Sequence, residues 1–283
     1  MNFEDYVFDY RLGYIREGHG MEGFDLIGAD SPVAGSIVTL GGYTTPEQAR
    51  GRSTWADGLY RALDGTYQIL NGCTEGYASA QILTLFMREV ILLAPKLVIC
   101  LSGFHDFAYK LGFVENKDDA AILKSHPFAT PGQMAFFRKI TPRFGLGKDE
   151  VYYGEDNHLP AWQCWLWHMD MIKCLCEEFG MAFLSFLQPC IFSGLYERTA
   201  REQMELEARY GLTADEIHMM QGLFQEQYAG ILRETAGRDY IVDLSGIFDG
   251  EKDVYLDAVH VRDGHVPKMA GAIKYSIHDR GAL

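Results

Sequence analysis

Four short stretches of the chain hold the side-chain types used in acid–base and nucleophilic catalysis. They are Gly42-Tyr43, the loop from Asn71 to Gly76, Gly103-Phe104-His105-Asp106, and Asp257-Ala258-Val259-His260. Taken singly, each is weak. A glycine pair after a strand is ordinary turn chemistry, and an aspartate three residues before a histidine arises often by chance. His260 alone is more often a surface or satisfied core histidine than a base. Taken in order and at these spacings, the four form a far more specific set.

The elements around them explain how they could meet. Ser36-Ile37-Val38-Thr39-Leu40 is a β-branched apolar run ending in Gly41-Gly42, the pattern of a buried strand delivering its carboxyl end into a tight turn. Further strands are expected over 67–70, 96–101, 181–187 and 240–244. Helices are expected between them. Thr54-Trp55-Ala56-Asp57 and Thr213-Ala214-Asp215-Glu216 have the spacing of capping boxes. A helix over 78–93 is stopped by Pro95, one over 161–178 is stopped by Gly180, and the last runs from about 264 to 278. Strands alternating with helices at this pitch predict a doubly wound parallel α/β sheet. In such a sheet ligands bind at the carboxyl ends of the strands, which is where Tyr43 and His105 fall.

Two regions do not follow the pattern. Residues 1–35 mix aromatics with a glycine-rich segment and read as an N-terminal arm packed on one α/β domain that covers 36–283. From about 110 to 160 the periodicity fails, and an irregular insertion of this length is usually functional or mobile; lying beyond the third strand, it could cover the mouth of the strands as a lid. The aromatic run Trp162-Gln163-Cys164-Trp165-Leu166-Trp167, with His168 after it, reads as helix-to-sheet core more readily than as a sugar-stacking platform. His19 and His126 fall in expected loops, and His218 and His278 on helices where exposure is the default.

Composition narrows the function classes. With 283 residues, 48% of them hydrophobic, and a formal net charge of −14, the chain lacks the positive field that nucleic acid or an anionic membrane requires. The apolar region Val90 to Leu101 is broken by Pro95 and Lys96 and is too short to span a bilayer. The start Asn2-Phe3-Glu4-Asp5 is acidic where an export signal would be basic. Six cysteines, several in apolar runs, read as reduced core residues; Cys174-Leu175-Cys176 lacks the spacing of a metal or redox motif. A cytoplasmic protein without metal or cofactor is expected.

The four stretches together resemble the SGNH hydrolase superfamily, the GDSL-like lipases and esterases, over roughly 36–110 and 160–280. Leu40-Gly41-Gly42-Tyr43-Thr44-Thr45 is similar to the family's first block, Asn71 to Gln81 to the second, Leu97 to Asp106 to the third, and Asp257 to His260 to the fifth. The resemblance implies a flavodoxin-like three-layer α/β/α sandwich with a five-stranded parallel sheet, acting on small-molecule or carbohydrate esters. It implies that His260 is the base, Asp257 its orienting partner, and Gly76 a backbone donor to the oxyanion hole. Two positions depart from the family. Tyr43 stands at the place of the nucleophilic serine, and His105 at the place of an asparagine donor. A phenol has an ordinary pKa near 10 and carries its oxygen ångströms further from the backbone, whereas a neutral imidazole N–H can still donate. Three readings follow: a degenerate member that keeps a ligand-binding cleft, an enzyme with altered chemistry built on Tyr43, His105 and His260, and an ester hydrolase of carbohydrate deacetylase type.

Overall fold

The computed structural model describes residues 6–9, 13–16, 24–28, 35–42, 54–74, 76–111 and 160–283. Tyr43, His19, His126 and nearly all of the 110–160 insertion lie outside the described residues.

The centre is the parallel sheet that the apolar runs predict. Its strands are β4 (Ser36–Gly41), β5 (Gln68–Asn71), β6 (Leu97–Ser102), β7 (Ala182–Leu187) and β8 (Ile241–Asp243). They lie in the order β5-β4-β6-β7-β8, every neighbouring pair parallel. Counting these five alone, the order is 2-1-3-4-5, the flavodoxin-like winding. Its switch point falls between β4 and β6, where register pairs Gly41 with Leu101. All six residues of β6 are buried, so its unbroken apolar run is that of a strand covered on both faces.

The sheet departs from the five-stranded expectation at one edge. β3 (Asp25–Ile27) pairs antiparallel with β5, Leu26 opposite Leu70, which makes a mixed sheet of six strands among the described residues. Three residues are too few for alternation to show, so the run 25–27 carries no strand signal of its own. Ahead of it, β1 (Tyr6–Asp9) and β2 (Gly13–Arg16) form a separate antiparallel pair.

Helices flank the sheet as an α/β/α sandwich. α1 (Trp55–Ala62) packs against the last helix, α8 (Val266–Asp279). Thr54 and Asp57 form the expected capping box: Thr54 Oγ1 accepts from Asp57 N at 3.1 Å, and the Asp57 carboxylate accepts from Thr54 N at 3.0 Å. α2 (Ser79–Leu85) runs through a π-wound stretch, Phe86–Val90, into the short α3 (Ile91–Leu93) before Pro95. α4 (Phe104–Lys110) leaves the end of β6 directly. α5 (Ala161–Glu178) keeps its expected bounds, and α7 (Ala214–Arg233) starts at its capping box as expected but ends a few residues ahead of Gly237, the terminator expected from the sequence.

Between β7 and α7 lies a helix for which the sequence reading had no counterpart, α6 (Ala200–Tyr210). It is opened by a capping box, Thr199 with Glu202. The same Ser/Thr-x-x-acid signal stands in its sequence as at 54 and 213, but polar residues fill its exposed side and mask the apolar period. Trp165, from the aromatic run, is fully buried on α5 and donates its indole N–H to Ser102 Oγ at 2.9 Å. Trp165, Leu166 and Trp167 are core, as the run's reading predicts, whereas Trp162 and Cys164 are half-buried and Gln163 is exposed. Among the described residues no helix is long and apolar enough to cross a membrane.

Candidate active site

The first link is made by backbone, at the end of β4. Thr74 N donates to Gly41 O at 3.0 Å and Gly72 N to Thr39 O at 2.8 Å, so the Asn71 to Gly76 loop is laced onto the strand. Asn71 secures the same junction through its side chain, accepting from Thr39 Oγ1 at 2.9 Å and from Cys73 N at 3.4 Å. Packing here is so close that side chains are excluded. A Cβ on Gly41 would sit 2.4 Å from the Leu101 carbonyl oxygen, and one on Gly42 would sit 2.2 Å from that of Tyr77 and 2.6 Å from His105 Nδ1. Three of the four stretches therefore meet at Gly42.

Gly76 has φ +79°, a left-handed conformation that glycine adopts without steric cost, which lets the loop turn before α2. His105 stands in the first turn of α4, buried, its ring edge-on to Phe104 at 5.2 Å. Beneath it, Phe104 stacks on Phe224 of α7 at 5.4 Å, and Phe107 meets Tyr228 at 5.2 Å. This aromatic floor fixes the helix on which His105 rides. Burial first, and then the charge of His260, together bring the His105 pKa down to about 3, with Asp257 opposing the shift. The fourth stretch is thus near enough to act electrostatically on the third. At neutral pH His105 is a neutral ring offering one N–H donor.

Asp257 and His260 lie on a tight turn closed by Leu256 N to His260 O at 2.8 Å and Arg262 N to Val254 O at 2.8 Å. Asp257 is buried. One of its oxygens accepts from Val259 N at 2.9 Å and His260 N at 2.8 Å, and the other meets His260 Nδ1 at 2.5 Å. With Nδ1–H given to the carboxylate, the neutral ring keeps its lone pair on Nε2, the arrangement of a general base. Burial pushes the Asp257 carboxyl upward, but the His260 charge and hydrogen bonds, together with Arg209, hold it well below the usual carboxylate range.

The turn is held from outside by α6. Residues 202, 205 and 209 share one helical face, and each grips the turn. Glu202, buried, accepts from Tyr255 N at 2.9 Å and from Tyr196 OH at 2.7 Å, Glu205 pairs with Arg262 at 3.0 Å, and Arg209 reaches Asp257 at 3.3 Å. Tyr210 OH adds a contact to Ala258 N at 3.4 Å. None of these residues was singled out by the sequence reading, because their roles depend on a helix docking on a distant turn.

The structure brings together Gly42, the Gly76 loop, His105, Asp257 and His260; Tyr43 follows directly in the chain but lies outside the described residues. Among the described residues no group of three or more His, Cys, Asp or Glu side chains is placed to hold a metal ion.

This winding is that of the SGNH hydrolase fold. The structure is similar to an acetyl-xylooligosaccharide esterase mutant from Geobacillus (TM-score 0.51, 12% identity, covering 87% of this chain and 95% of that one). It is similar to an acetyl xylan esterase structure (TM-score 0.50, 12% identity, covering 86% and 99%). A GDSL-like lipase from Bacteroides thetaiotaomicron also aligns (TM-score 0.49, 13% identity, covering 87% and 88%). No protein-family model and no curated protein sequence matches the chain.

Two outcomes follow from this geometry. Gly42→Ala should cost about 1–3 kcal/mol in urea unfolding, the usual penalty for overpacking, since the new methyl meets a backbone carbonyl that cannot swing away. Asp257 has a depressed folded-state pKa, so its contribution is present above its unfolded value of about 4 and is lost as pH falls through the folded value. Asp257→Asn should therefore lose about 1.5–3 kcal/mol at neutral pH, and the gap from the parent should narrow below about pH 4.

Proposed function

We propose that this chain binds an acyl ester of a small molecule or carbohydrate in an SGNH-type cleft, and that its serine-type hydrolysis is impaired because Tyr43 stands at the nucleophile position. The observation that carries this reading is the wall around Gly42. With the Tyr77 carbonyl and the His105 ring against it, position 42 has no room for a nucleophilic side chain. Attack has to come from position 43, which is a tyrosine. In this reading His260 is the base and Asp257 its orienting partner, while Gly76 and His105 are the oxyanion donors. His105, neutral because it is buried, fills the asparagine's role through one ring N–H. The acetyl xylan esterases of similar fold favour a carbohydrate ester over a long-chain lipid.

A second reading is favoured by the finish of the Asp257–His260 pair, in which the buried Asp257 accepts from two backbone amides and is braced by Arg209 while His260 stays half-buried. A base so well set could draw the proton from the Tyr43 phenol, giving an enzyme of altered chemistry on Tyr43, His105 and His260.

Hydrolysis of p-nitrophenyl acetate separates the readings. The parent should run at background. Tyr43→Ser should gain on the order of 100-fold, the scale of a positioned base, and adding His260→Ala should remove the gain. A parent as fast as Tyr43→Ser would overturn the impaired-site reading, and an acetyl adduct mapped to Tyr43 would establish the second.

A further inference from the structure

A second polar cluster lies beside the cleft. Asp106 of α4, Ser79 in the first turn of α2 and His168 in the middle of α5 form one chain of hydrogen bonds. Ser79 N donates to both Asp106 oxygens at 3.1 Å, Ser79 Oγ is bonded to Asp106 Oδ1, and the same Oγ lies 2.7 Å from His168 Nδ1. Ser79 and His168 are buried and Asp106 is half-buried. Ser79 stands three residues after Gly76, and Asp106 directly follows His105. The cluster thus ties together the two segments that carry the oxyanion donors, and the inference below rests on that reading of Gly76 and His105.

A hydroxyl has one proton, so Ser79 can donate to only one of its two side-chain partners. Two arrangements satisfy the chain. In the first, His168 Nδ1–H donates to Ser79 Oγ, and Ser79 Oγ–H donates to an ionised Asp106. In the second, a protonated Asp106 donates to Ser79 Oγ, and Ser79 Oγ–H donates to His168 Nδ1, whose ring carries its proton on Nε2. The two differ by one proton and run in opposite directions.

We propose that Asp106, Ser79 and His168 form a proton-operated positioning device for Gly76 and His105, which takes up one proton and reverses its hydrogen bonds as it does so. The step balances without an oxidant or reductant. A proton reaches His168 Nε2, the Nδ1 proton passes to Ser79 Oγ, and the Ser79 proton passes to the Asp106 carboxylate; net charge rises by one. With Asp106 ionised, both of its oxygens accept from Ser79 N and grip the start of α2 by charge-assisted bonds. With Asp106 protonated, one oxygen turns donor and the grip loosens.

The electrostatics place the exchange near neutrality. Burial raises the Asp106 carboxyl to about 7 against the opposing hydrogen bonds of Ser79, and burial lowers His168 to about 4, so the ring is neutral in both arrangements. Other charges facing the cluster among the described residues are few. α2 carries no ionisable side chain besides those of the cluster. On α4, His105 is neutral and Lys110 is exposed one turn on. On α5, Asp170 is engaged by Arg238 at 2.8 Å, and Lys173 by Glu177 at 2.8 Å.

The test is ¹⁵N NMR of histidine-labelled and backbone-labelled protein between about pH 5 and about pH 9, spanning the ordinary histidine range. The His168 ring should change from the Nε2–H tautomer at low pH to the Nδ1–H tautomer at high pH, and the Gly76 and His105 amide signals should move with the same midpoint. Asp106→Asn mimics the protonated acid, its amide donating to Ser79 Oγ, and should hold His168 as the Nε2–H tautomer throughout. Ser79→Ala, which removes the hydroxyl but leaves the backbone N–H on Asp106, should make the His168 tautomer independent of pH, and it serves if Asp106→Asn does not fold. A parent His168 with one tautomer across the range would overturn the proposal, as would Asp106→Asn titrating like the parent. Amides of Gly76 and His105 that ignore the switch would overturn the positioning role. None of these readouts needs catalysis, so failure of the esterase reading would show separately in the p-nitrophenyl acetate assay.

Discussion

Everything in the cleft depends on how closely backbone approaches backbone at the end of β4. Gly41 lies against the Leu101 carbonyl and Gly42 against that of Tyr77, so the first strand touches both the following loop and the neighbouring strand without side chains between them. Ladder bonds and the Thr74 and Gly72 amides then set the register of the loop. Because the contact is between main chains, it fixes positions that flexible side chains could not. The switch point of a doubly wound sheet already separates the loops on either side; the two glycines close that gap to contact distance.

The remaining parts are supports of different stiffness. His105 rests on stacked aromatics from α4 and α7, a dispersive floor that is dense but not directional. The His260 turn is held by charged and polar bonds from α6, which are directional and partly exposed. The two histidines that face each other electrostatically are therefore set by different physics, one by packing and the other by an ion-pair lattice.

Much of the scaffold was legible in the sequence. β-branched runs, glycine stops and capping boxes located the five parallel strands and the helices around 55–62, 161–178 and 214–233. The fully apolar run of β6 read as a doubly covered strand for a sound reason, since only burial on both faces removes the alternation. β3 was not legible, because three residues display no period, and α6 was not, because its polar face hid the period while its capping signal went unread. Residues such as Gly42, His105 and His260 stood out through spacing and resemblance. Ser79, His168, Glu202 and Arg209 did not, for their roles come from partners between six and ninety residues away. Sequence spacing reports such partners only where they fall within one element.

The antiparallel strand β3 has a consequence of its own. An open sheet of this winding leaves β5 as a bare margin of unpaired amides and carbonyls, the template on which like chains accrete. By laying Asp25-Leu26-Ile27 along that margin, the N-terminal segment spends its hydrogen bonds within the molecule, and the opposite margin, β8, is only three residues long. Among the described residues the sheet therefore ends on a three-residue strand at either side, and short edges of this kind offer little backbone for another chain to pair with.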